Sequence, residues 1–112
     1  MQLGNIDNRY WLLGKPGILR VLAILYEHGP QPLHKIPQHG MGVGTTYRSA
    51  REAALLGLVH LYVCGSSKCA RLTESGKRVA KKIVDLLAEL EEMGLIPAHS
   101  AGAKEAVRAQ TP

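Results

Sequence analysis

Aliphatic residues recur at helical spacing along most of this sequence, and the period changes only once, between residues 59 and 72. Ile18, Leu22 and Leu25 fall at i, i+4 and i+7, with Leu19 and Tyr26 beside them and Gly29-Pro30 after them, which predicts an amphipathic helix over 18–28. A second pattern starts at Thr45: Thr46, Ala50, Ala53 and Leu56 make an inward stripe, while Thr45, Arg48, Ser49, Arg51 and Glu52 lie opposite, and Gly57 ends it. The third and longest helix is expected over 74–93, where Val79, Ile83, Leu86, Leu90 and Met93 alternate spacings of four and three, the seam one helix presents to another. Thr73 stands where its N-cap belongs, Glu74 complements the helix dipole, and Gly94 stops it. The change of period reads as one hairpin, with strands 59–64 and 69–72 joined by Gly65-Ser66-Ser67-Lys68.

Between the first two helices, 33–39 has room for a short helix only. Pro37 is expected in its first turn, where a missing N–H loses no acceptor. Gly40, Gly42 and Gly44 make 40–44 a turn. The core must be aliphatic, since the 112 residues include no Phe, one Trp and four Tyr. So few aromatics make poor stacking platforms for single-stranded nucleic acid. No apolar run approaches the ~18 residues of a membrane span, and 1–7 lacks the pattern of a signal peptide, so a cytoplasmic location without membrane contact is expected.

The formal net charge of +5 is unevenly distributed. Between residues 32 and 82 there are nine basic residues (Lys35, Arg48, Arg51, Lys68, Arg71, Lys77, Arg78, Lys81, Lys82) against Glu52 and Glu74. From 83 to 94 there are only acids: Asp85, Glu89, Glu91 and Glu92. A solvated surface has no reason to segregate charge this way, whereas a chain docking one end onto phosphates does.

The order helix, short helix, turn, helix, hairpin, long helix is that of a winged helix-turn-helix, mainly α with a β-hairpin wing. The run 45–59, ending Gly57-Leu58-Val59, resembles the recognition-helix signature of MarR- and PadR-like regulators of prokaryotic and archaeal type, and 71–77 resembles their Leu-Thr-x-x-Gly segment, here Leu72-Thr73 and Gly76. The resemblance spans about 18–93. The expected division is an N-terminal arm (1–14), a winged helix-turn-helix (15–73), a long dimerisation helix (74–94) and a flexible tail (95–112), the tail because its Ala, Gly, Ser and scattered charges offer no apolar face. The resemblance implies a protein that binds double-stranded DNA and regulates transcription, with helix 45–56 in the major groove and wing 59–72 on the backbone or in the minor groove. The outer seam of the last helix, longer than so small a domain can cover, implies a homodimer. Arg48 and Arg51 can each grip a guanine in bidentate fashion. Thr45, Thr46, Tyr47 and Ser49 add contacts from the same helix, Lys35 from the short helix before it, and Ser66, Ser67, Lys68 and Arg71 from the wing. Val79, Ile83, Leu86, Leu87, Leu90 and Met93, with Trp11, are the expected dimer face. Two other uses fit the same pattern: a non-specific architectural DNA-binding protein, and a winged helix that docks on another protein.

Cys64 and Cys69 flank the hairpin loop and are expected to lie opposite each other. They stand as two small apolar residues, as a cross-strand disulfide with the option of redox control, or as half of a metal site that has no further ligands at suitable spacing. His28, His34, His39 and His99 are dispersed and read as surface or capping residues. No phosphate-binding loop and no nucleophile with a neighbouring His and carboxylate emerges, so neither an enzyme nor a cofactor is expected, and a small-molecule effector is unspecified.

Overall fold

The computed structural model describes residues 6–98. Residues 99–112, most of the expected tail, lie outside the described residues, and His99 with them. A 3-10 helix, Ile6–Gly14, occupies the arm. It leads into α1 (Pro16–His28), then β1 (Gln31–Pro32), a second 3-10 helix (Leu33–His39), α2 (Val43–Leu55), β2 (Val59–Cys64), β3 (Ser67–Leu72) and α3 (Glu74–Glu92). The sheet is antiparallel in the order β1-β3-β2. Together this is a winged helix-turn-helix with a long last helix.

α1 starts two residues before the expected point because Pro16 opens it, a position where its missing N–H has no intrahelical partner. Ile18, Val21, Leu22 and Leu25 enter a core completed by Leu33, Ile36, Met41, Ala50, Ala53, Leu58, Val59, Ala70 and Ala80, which is aliphatic throughout apart from the Met41 thioether. Pro37 is fifth of seven residues in its helix, not in the first turn. An α-helix would lose a bond there and clash. The segment winds as 3-10 and closes with Gly40 N–H donating to the Pro37 carbonyl at 3.0 Å. α2 starts earlier than expected, so Val43 and Gly44 belong to its first turn.

Both α2 and α3 end in the same hydrogen-bond pattern. After α2, Leu58 N–H donates to Ala53 O and Gly57 N–H to Ala54 O, with Gly57 left-handed at φ 78°. After α3, Leu95 N–H donates to Leu90 O and Gly94 N–H to Glu91 O. These are Schellman caps, whose left-handed position favours glycine; after α2 the following residue returns to the core, whereas Leu95 after α3 stays exposed. Hence Leu58 is buried while Leu56, expected inside, is 45% exposed.

The start of α3 is fastened to that cap. Thr73 Oγ1 accepts from Gly76 N–H at 3.0 Å and donates to Gly57 O at 2.6 Å, while Thr73 N–H donates to Leu58 O at 3.1 Å. Gly76 lies directly against the Leu58 carbonyl, leaving no room for a β-carbon. The two motif segments quoted from the sequence therefore form one joint that holds recognition helix, wing and long helix together.

Candidate nucleic-acid interface

The outward face of α2 carries Gly44, Tyr47, Arg48, Arg51 and Leu55, all exposed. Thr45 is half-buried at its edge, and Lys35 is exposed on the preceding 3-10 helix. Two residues expected to contact DNA are instead packed inside. Thr46 is fully buried, its hydroxyl donating to Gly42 O at 2.8 Å, and Ser49 is buried where Gly17 of α1 comes against its side chain. The approach of α1 at that glycine covers Ser49, while Thr46 lies on the inward stripe of α2.

Glu52, the only acid on α2, is half-buried and pairs with Lys15 at 3.4 Å, so it does not oppose an incoming phosphate. Lys15 Nζ also sits 5.5 Å from the Trp11 ring centroid. Between the start of α1 and α2 runs a shallow groove of 260 Å³ whose lining includes Lys15, Arg20, Thr45 and Arg48. Lys15 and Arg20 were absent from the sequence-level site. Their only sequence signal is that Arg20 falls off the apolar stripe of α1, which holds for any surface residue.

The wing differs from its expected form at the tip. Cys64 pairs with Ser67, so Gly65-Ser66 is a two-residue turn and Ser67 and Lys68 belong to β3. Lys68 is exposed opposite Val63. Arg71 is exposed on the outer face, its guanidinium 5.4 Å from the centre of the Tyr62 ring, which in turn stacks on His60 at 6.0 Å. That contact fixes the direction of the arginine without neutralising it.

The two cysteines are not directly opposite: Tyr62 faces Cys69, which places Cys64 and Cys69 diagonally on one face. Their Cα atoms are 5.9 Å apart and their sulfurs are bonded. That Cα separation lies within the range a disulfide spans. Among the described residues no group of three metal-ligating side chains comes together. His28 and His39, dispersed in sequence, do meet, with stacked rings 4.1 Å apart.

On α3 the apolar seam divides. Val79 and Ile83 pack against the core, Leu87 and Leu90 are half-buried, and Leu86 and Met93 are 57% and 61% exposed. Trp11, at 45% exposure, is partly open as well. Near the start of the helix, Lys77 pairs with Glu74 at 3.4 Å. Lys81 pairs with Asp85 at 2.8 Å, and that hydrogen bond together with the carboxylate charge holds the ammonium above the usual lysine range. Arg78 and Lys82 are exposed between them. No helix among the described residues is long and apolar enough to cross a membrane.

Solved structures share this fold. AF1382 from Archaeoglobus fulgidus is similar at a TM-score of 0.61 and 20% identity, over 74% of this chain and 97% of that one. MepR, a transcription regulator of the Staphylococcus aureus multidrug efflux pump MepA, gives 0.58 and 20%, over 83% and 71%. The MarR family transcriptional regulator SPO1453 from Silicibacter pomeroyi gives 0.63 and 20%, over 78% and 65%. No family model matches the chain, and no curated protein matches it. The likeness is therefore one of architecture, and it makes this chain a winged-helix protein of MarR-like fold.

Proposed function

We propose that this chain is a double-stranded DNA-binding transcription regulator that works as a homodimer. The observation that carries the proposal is the outward face of α2, where Arg48 and Arg51 stand one turn apart and exposed while the helix's one acid is paired with Lys15. Guanidinium groups in that position offer the bidentate geometry that reads guanine in a major groove. Lys68 and Arg71 on the wing, and Arg20 on α1, supply cations for the flanking phosphates. Transcription regulators built on the same architecture support this use. The apolar strip of Leu86, Leu90 and Met93 is the surface on which a second copy docks.

Selection from a random duplex pool followed by footprinting tests the proposal. An enriched site is expected, and Arg48→Ala is expected to remove protection there while leaving the thermal melt unchanged, because the side chain is exposed. Affinity should fall with salt at about −0.9 per phosphate neutralised. Uniform retention of all sequences would mark an architectural DNA-coating protein, and no retention at low salt would overturn DNA binding altogether.

A further inference from the structure

We infer that the wing carries a thiol–disulfide exchange site, Cys64–Cys69, whose oxidation state sets how firmly the wing tip is held. Little of the fold depends on the bond. The tight turn at Gly65-Ser66 already joins the strands, and the bridge spans a sequence separation of only five, so it removes little freedom from the unfolded chain. The hairpin residues that enter or pack on the core, Val59, Leu61, Ala70 and Leu72, lie at its other end. What the bond constrains is the tip: Val63, 76% exposed, the turn itself, and Lys68, which sits between the two cysteines.

The two cysteines are unequally accessible. Cys64 is half-buried, while Cys69, in the central strand between β1 and β2, is 4% exposed. A dithiol reductant therefore attacks at Cys64. Its thiolate forms a new bond to the Cys64 sulfur, the Cys64–Cys69 bond breaks, and the electron pair leaves on the Cys69 sulfur, which then takes a proton. The second thiol of the reductant displaces Cys64 as thiolate, giving two protein thiols and one oxidised reductant.

Opening the bond frees Lys68, which must then be ordered when a polyanion binds. Ordering one long side chain and its loop weakens binding about three- to ten-fold. This consequence for DNA rests on the proposed function; the exchange site itself does not.

The test compares the full chain, air-oxidised and dithiothreitol-reduced. Denatured oxidised protein is expected to take no alkylating label and reduced protein two, with limiting label going first to Cys64. Amide exchange at 63–68 should quicken on reduction while α1 and α2 stay unchanged. Binding to a fluorescent random-sequence duplex should weaken about three- to ten-fold, and Cys64→Ser should bind like the reduced form and ignore the dithiol. Two labelled thiols in air-oxidised protein, or tip exchange indifferent to reduction, would overturn the site. Equal, Arg48-dependent binding in both states would overturn the coupling and leave the DNA proposal standing. Altered tip exchange with no duplex binding in either state would sustain the site and defeat the DNA proposal.

Discussion

Gly76→Ala should destabilise the protein, although alanine is the better helix former by ~1 kcal/mol. An added β-carbon at Gly76 lands on the Leu58 carbonyl oxygen, 2.9 Å from its carbon and 3.3 Å from Leu72 Cδ2. The leucine methyl can rotate away, but the carbonyl cannot. It accepts from Thr73 N–H at 3.1 Å, and the adjoining Gly57 carbonyl accepts from the Thr73 hydroxyl at 2.6 Å. Making room means parting α3 from the α2 cap and giving up both bonds, at about 1 kcal/mol each, together with an overpacking cost of about 1–3 kcal/mol. Set against the gain in propensity, the net loss is about 2–4 kcal/mol, or roughly 8–32 °C in melting temperature for a domain of this size. Gly44→Ala is the control. No neighbour lies within 4 Å of a β-carbon there, so it should stabilise by about 0.4–1 kcal/mol. Circular dichroism melts of the two variants beside the parent decide the matter. A Gly76→Ala protein that melts at or above the parent temperature refutes the close-approach argument.

Thr73→Val keeps the shape of the side chain and removes both hydroxyl bonds, so the urea midpoint should drop by the equivalent of about 1–2 kcal/mol at unchanged slope. For the proposed dimer, light scattering should give twice 12.2 kDa, and the pair Leu86→Glu and Met93→Glu should give a folded monomer because both side chains are exposed. A parent protein that is monomeric at micromolar concentration refutes that seam.

What was legible in the sequence follows from how local each cause is. The α1 stripe, the limits of β2, the Thr73 cap and the stop at Gly94 are set by neighbouring residues, and the structure has them where the pattern placed them. Ser49 is different. A small hydroxyl residue fits either face of a helix, and what covers this one is the approach of Gly17 from another element, invisible in the pattern of α2, whereas Thr46 is buried where the inward stripe already placed it. The early start of β3 was hidden because Ser67 and Lys68 lie beyond the core, where alternation carries no hydrophobic mark. Leu56 shows a third kind of failure: the helical period runs on through it, but the cap ends the helix and hands the core position to Leu58. The stacking of His28 on His39 likewise depends on how α1 meets the 3-10 helix and leaves no local trace.

The joint at Gly57, Leu58, Thr73 and Gly76 also bears on how a dimer would read DNA. It couples the end of α2 to the start of α3 through two hydrogen bonds and one contact too close for a side chain. The two helices consequently move as one body, and α3 reaches about 28 Å along its axis at 1.5 Å per residue. A second copy seated on the outer half of α3 would then fix the position of its own α2 relative to the first. Half-sites one turn of B-DNA apart require that spacing to hold within a few ångströms. On the proposed function, the glycine and threonine of this joint serve DNA recognition without touching DNA, by converting a contact between long helices into a set distance between two arginine-bearing faces.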